Sequence, residues 1–128
     1  MLFRSEIIKD KAELVVADLS FISLTLVIPA LKNVSTPDAN FVIMVKPQFE
    51  VGRERLGAGG VVRDPELRTS AVKEVAESAF ELGLGTVGVV ASPLPGPSGN
   101  VEYFLWLRAG AERISDLMLN EAIRKGPQ

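Results

Sequence analysis

Phe41-Val42-Ile43-Met44-Val45-Lys46-Pro47-Gln48-Phe49-Glu50 is the stretch on which the reading of this chain turns. Five consecutive apolar residues rich in β-branched side chains predict a strand buried on both faces, in the middle of a parallel sheet rather than at its edge. Pro47 then restricts the backbone of Lys46 and ends the strand on it. In open α/β sheets, ligands bind beyond the carboxyl ends of the strands, so Lys46 is placed where chemistry happens. A solvated lysine leaving a strand fits this stretch equally well. The choice depends on what else reaches the same end of the sheet.

Composition bounds the chemistry. The chain has 128 residues, 47% hydrophobic and 23% charged, which suits one domain, or a large part of one, with a buried core. A net charge of −2 and a pI near 5.2 give no global attraction to nucleic acid, so such a partner would need a local basic patch. There is no cysteine and no histidine. Disulfides, thiolate metal sites and the commonest general base are therefore absent, and no metal site is expected. The apolar run from Phe21 to Leu31 is too short to span a bilayer, and the chain reads as cytoplasmic.

Working outward, Leu14-Val15-Val16-Ala17 is a short buried strand that ends on Asp18, in the same post as Lys46. Ser20 is placed to cap a helix from Phe21 to Asn33, which Pro29 should kink or end near Val27. Ser35-Thr36-Pro37-Asp38 is a turn into the strand already quoted. Residues 47–63 form a loop much longer than an ordinary strand-to-helix connection, which points to a functional loop over the strand ends. Asp64-Pro65 then starts a helix that Gly83 ends, with Leu67, Ala71, Val72, Val75, Ala76, Ala79 and Phe80 inside and Arg68, Lys73, Glu74 and Glu77 outside.

Thr86–Ala91 is a third buried strand. The nine-residue, proline-stiffened loop Ser92–Asn100 is too short for a parallel crossover, so the fourth strand, Val101–Leu107, should run antiparallel. Glu102 begins it. A last helix carries Ile114, Leu117, Met118 and Ile123 towards the sheet. The pattern is an open α/β sheet with helices on its faces. Residues 1–12 show little amphipathic logic and read as a non-native or disordered lead-in, and the start so close to a core strand suggests a missing upstream half.

Val16-Ala17-Asp18-Leu19-Ser20-Phe21-Ile22-Ser23-Leu24, Val45-Lys46-Pro47-Gln48-Phe49-Glu50, Gly60-Val61-Val62-Arg63-Asp64, Ser92-Pro93-Leu94 and Gly99-Asn100-Val101-Glu102 together resemble the TlyA (hemolysin A) family of ribosomal RNA 2′-O-methyltransferases. The resemblance runs from about Val15 to Leu107. It implies a partial Rossmann-like, FtsJ-like fold of the class I S-adenosylmethionine-dependent methyltransferases, of which residues 1–128 would be the carboxyl-terminal half. It implies a Lys-Asp-Lys-Glu catalytic set in which Asp18 is the aspartate, Lys46 the second lysine and Glu102 the glutamate. The first lysine, the glycine-rich cofactor loop and a small RNA-binding domain would lie upstream. S-Adenosylmethionine is the implied cofactor, with Asp18, Leu19 and Ser20 as the part of its site left in this chain.

These residue types suit that reaction. A ribose 2′-hydroxyl is a weak nucleophile, and transfer needs its proton removed or its lone pair aimed at the methyl group. A lysine serves as a base only when neutral, which burial and a neighbouring cation favour and a carboxylate opposes. Asp18 is therefore expected to orient the amine, and Glu102 to hold the site together. Arg53, Arg55 and Arg63, with Arg68, form a local basic source for RNA phosphates. Interleaved Glu50, Glu54, Asp64 and Glu66 make a salt-bridged, solvated loop the competing reading. Three functions follow: a fragment of an rRNA 2′-O-methyltransferase, inactive alone; a non-catalytic RNA-binding or assembly module; and a hemolysin, which no amphipathic cationic helix supports. The open edge of the first strand predicts an isolated chain that oligomerises or aggregates.

Overall fold

The computed structural model describes residues 10–52, 54 and 56–127. Four strands, β1 (Ala12–Ala17), β2 (Ser35–Val45), β3 (Leu84–Ala91) and β4 (Tyr103–Ala109), form one sheet in the order β1-β2-β4-β3. Strand β1 pairs with β2 in parallel, and β4 runs antiparallel to both β2 and β3. Three strands thus share a direction and β4 opposes them, as the short loop before it requires. Three helices, α1 (Leu24–Asn33), α2 (Pro65–Glu81) and α3 (Asp116–Lys125), complete the architecture.

The three helices lie against one face of the sheet. Val15, Phe41, Ile43, Val45, Tyr103, Leu105 and Leu107 point to that face and are buried with Leu24, Ile28, Val72, Val75 and Leu119. Each large apolar side chain buried there stabilises the fold by about 1.5 to 3 kcal/mol. The other face is apolar but open. Leu14 and Val16 are 60% and 70% exposed, Val90 58% and Trp106 43%. Val42 and Met44 are half-buried, so the stretch Phe41–Val45 is covered fully on one face rather than on both, and β1 and β3 are likewise buried on one side.

Local chemistry accounts for the remaining differences. Helix α1 is capped by Ser23, not Ser20, with the Ser23 hydroxyl accepting from the Thr25 amide at 3.2 Å. It runs through Pro29 to Asn33, because Val27, Ile28 and Leu31 are buried around the one missing backbone rung. The turn-forming Thr36, Pro37 and Asp38 do not precede β2; they fall in an irregularity within it, where pairing moves from Ala12↔Ser35 to Leu14↔Asn40. Strand β4 begins at Tyr103. In α3, capped by Ser115, the inner stripe is Leu119, Ala122 and Ile123, which leaves Leu117 76% exposed. Asp64, Pro65 and Gly83 delimit α2 as their chemistry dictates.

Arg68 is the largest departure within α2. It is buried rather than solvated, its Nε donates to the Val62 carbonyl at 3.1 Å, and its charge stands beside the Tyr103 phenol. Burial pushes that phenol above its usual value and Arg68 partly opposes the rise. Asn100, also buried, accepts from the Val62 amide at 2.9 Å and donates to the Gly60 carbonyl at 3.0 Å. Arg68 and Asn100 together pin the end of the long loop to the core.

Candidate active site

Sheet topology brings three chain segments to one end. Parallel pairing sets the carboxyl end of β1 beside that of β2, so Asp18 and Lys46 leave adjacent strands at the same edge of the sheet. Antiparallel pairing of Val45 with Tyr103 puts the start of β4 there too, and with it Glu102, the residue before Tyr103. A carboxylate, an amine and a second carboxylate thus share the strand ends.

Lys46 is buried, 8% exposed. Its Nζ lies 2.5 Å from Asp18 Oδ1 and donates to Ser20 Oγ at 3.2 Å. An ammonium has three donors, so one has no hydrogen-bond partner among the described residues. Asp18 itself is open to solvent, its side chain 68% exposed. Glu102 is buried and is reached by a different neighbour: Gln48 Nε2 donates to Glu102 Oε2 at 3.1 Å. The carbonyl oxygen of the same Gln48 amide is buried with no hydrogen-bond partner among the described residues. Among the described residues no ion pair joins Lys46 to Glu102.

The loop after Lys46 is a tight 3-10 turn over Pro47–Phe49, with the Phe49 amide on the Lys46 carbonyl at 2.9 Å and the Glu50 amide on the Pro47 carbonyl at 3.0 Å. It delivers Glu50 to the N-terminus of α1. Glu50 Oε1 accepts from the Ser23 hydroxyl at 2.6 Å and Oε2 from the Leu24 amide at 2.9 Å. Burial pushes the Glu50 carboxyl above its usual value; these two hydrogen bonds pull it down, and the charge of Glu74 adds a further rise.

Between the two loops stands Phe21. It has a positive φ of 65°, and its ring is 89% exposed except for a tilted contact with Phe49, 4.9 Å between centroids. A bulky residue in this region of backbone space is strained by about 1 to 3 kcal/mol. The ring contact offsets only about 0.5 to 1.5 kcal/mol. The two quantities are of similar size, and the exposed aromatic is held out next to Ser20, the residue that accepts from the Lys46 amine.

Of the residues marked from sequence as a cofactor wall, Asp18 and Ser20 contact Lys46, while Leu19 and Ser20 line a concavity of about 510 Å³ with Phe21, Ile22, Leu26 and Val27. Ser20 contributes a hydroxyl to an otherwise apolar lining. Arg63 is exposed and donates to the Ala58 carbonyl at 3.2 Å, folded over the glycine-rich turn. Arg53 and Arg55 lie outside the described residues. Arg68, being buried, is withdrawn from the basic patch. Sequence reasoning missed the contacts of Gln48, Glu50 and Phe21, although all three lie in the stretches that carry the family resemblance, close to Lys46 and Asp18 along the chain.

Comparison with known proteins agrees with this fold. The chain is 57% identical over 121 residues to the 16S/23S rRNA (cytidine-2′-O)-methyltransferase TlyA of Mycobacterium tuberculosis, which covers 94% of this chain and 45% of that protein. It is 38% identical over 99 residues to YqxC of Bacillus subtilis, assigned as an rRNA methyltransferase, covering 77% of this chain and 35% of the relative. A solved Lactococcus lactis protein that carries a hemolysin label superposes with a TM-score of 0.84 at 32% identity, covering 91% of this chain and 57% of that one. The chain thus spans less than half the length of these two curated relatives. Residues 2–109 match the description of an FtsJ-like methyltransferase. The chain belongs to the FtsJ-like methyltransferase family.

Proposed function

We propose that this chain forms the carboxyl-terminal part of a cytoplasmic enzyme that methylates a ribose 2′-hydroxyl of ribosomal RNA. The observation that carries the reading is the buried Lys46 amine, held by Asp18 and Ser20 with one N–H position unassigned. S-Adenosylmethionine, when bound, supplies an electrophilic methyl group. Asp18 and Ser20 fix the direction of the Lys46 side chain. As an ammonium, Lys46 donates its remaining N–H to the 2′-oxygen and orients it; as a neutral amine, it takes up the hydroxyl proton on the nitrogen lone pair. Glu102, fixed by Gln48, supports the far side of the site, and the buried Gln48 carbonyl is available to accept from a donor that enters it.

Phe21 extends the proposal to substrate. RNA enzymes read unstacked bases by stacking them on aromatic side chains, and an exposed ring at positive φ, one residue from the Ser20 that accepts from the Lys46 amine, is suited to that work. Leu19, Ser20 and Asp18 furnish the cofactor wall, and Arg63, with Arg53 and Arg55, the phosphate contacts. The enzyme reading is tested in the complete methyltransferase domain by replacing Lys46 with alanine and measuring methyl transfer to RNA. Turnover near that of the unaltered domain would refute it.

A further inference from the structure

We propose that Glu50 is a positioning residue for Lys46, clasping the loop that follows β2 onto the N-terminus of α1 and so fixing the amine against Asp18 and Ser20. The inference rests on the function proposed above. It starts from a long-range exchange of caps. In a capping box the third residue of the helix sends a carboxylate back to the cap. Here that residue is Leu26, and the carboxylate comes from Glu50, in a different loop.

The connection is short and stiff. The 3-10 turn from Pro47 to Phe49 leaves no slack between Lys46 and Glu50, and the Val51 amide closes it further on the Pro47 carbonyl at 3.1 Å. The two loops therefore meet at two points: Lys46 on Asp18 and Ser20, and Glu50 on Ser23 and Leu24. Between these points lies the Phe21–Phe49 ring contact. Removing the Glu50 carboxylate cuts the tie to α1; the ring contact, the Gln48–Glu102 hydrogen bond and the buried Val51 still hold the loop, but none of them fixes it against the start of α1 that carries Ser23.

A purely structural role does not explain the arrangement. Ser23 already caps α1 through the Thr25 amide, so the helix start has a local partner. Glu50 adds a half-buried carboxyl whose ionised form is disfavoured by burial, an unfavourable choice for a cap alone. What it adds is the tie between loops.

The test uses the complete methyltransferase domain with Glu50→Ala, Glu50→Asp and Glu50→Gln. Glutamine can present a carbonyl to the Leu24 amide and an amide N–H to the Ser23 oxygen; aspartate is one methylene too short to reach both. The alanine and aspartate variants should lose about 100-fold in kcat, the scale set by misplacing a reacting group by about 1 Å, with the KM values for RNA and cofactor unchanged. The glutamine variant should keep most of kcat. Wild-type kcat in the alanine variant, or equal losses in aspartate and glutamine, would overturn the proposal. Should the unaltered domain transfer no methyl group, the functional reading fails by itself. The clasp is then judged by amide exchange at Leu24, which must quicken in the alanine variant and stay slow in the glutamine variant. Unchanged exchange in both would overturn it.

Discussion

Lys46 Nζ lies 2.5 Å from Asp18 Oδ1, and the two partners differ sharply in setting: the amine is buried and the carboxylate stands in solvent. Water screens the exposed end, so the pair adds little to stability. Its effect is directional, because the other polar partner of the amine among the described residues is the Ser20 hydroxyl alone.

Asp18→Asn should therefore lower stability by about 1 kcal/mol or less, while lowering methyl transfer by a much larger factor. Lys46→Met, which fills similar space, should leave the fold intact and reduce kcat by about 100-fold or more. Urea unfolding and single-turnover transfer to RNA measure the two effects separately. Large destabilisation by Asp18→Asn would show that the pair is structural.

Phe21 offers a test in the opposite sense. Glycine accepts the positive φ of 65° without strain, so Phe21→Gly should stay within about 1 kcal/mol of wild-type stability. The same change should raise the KM for RNA about tenfold, as loss of one stacked base does. An unaltered KM would remove Phe21 from substrate binding.

Burial raises the Glu50 carboxyl above its usual 4.5 in the folded protein. The folded state then holds this proton more tightly than the unfolded chain. The stability contributed by the group is whole below about pH 4.5 and declines as pH climbs through the raised value. Glu50→Gln lacks this decline. Its stability advantage over wild type should widen between about pH 4 and about pH 7 in parallel urea titrations. A constant difference would contradict the assignment.

A methyl group built on Gly96 would overlap the Glu102 carboxylate. Because that carboxylate is the end of a flexible side chain, Gly96→Ala should move Glu102 and break its hydrogen bond from Gln48 with little global destabilisation. Methyl transfer should fall while the unfolding midpoint stays close to wild type. A variant with full activity would place Glu102 outside the working site.

Much of this was legible in the residue pattern, for identifiable reasons. The apolar run before Lys46, the proline behind it and the short loop before Glu102 are local signals, and together they located the strand ends and the antiparallel strand. Side-chain partnership is less local. Arg68 sits at a position that helical spacing assigns to solvent, yet the Val62 carbonyl and the Tyr103 phenol draw it inward. Glu50 reads as one charge among several in a loop; its two partners, Ser23 and Leu24, lie on the far side of β2 in the sequence. The burial of Phe41–Val45 was overestimated because an apolar run does not reveal which layer covers each face.

The open face makes a prediction of its own. Val16 and Trp106 lie across it, on either side of Val42. In the isolated chain, association through this face should shift Trp106 emission to shorter wavelength as concentration rises, and Val16→Lys should abolish the shift. Sedimentation of both forms checks the result. Emission that is independent of concentration in the wild-type chain would argue that the face stays wet.

That face also bears on the site mechanically. Asp18 and Lys46 are the free tips of β1 and β2, the strands whose outer sides carry Leu14, Val16, Val42 and Met44. Twist and tilt of two such strands depend on what presses against both sides of them. A layer laid on the outer side would act as a splint, setting the angle at which amine and carboxylate meet without touching either.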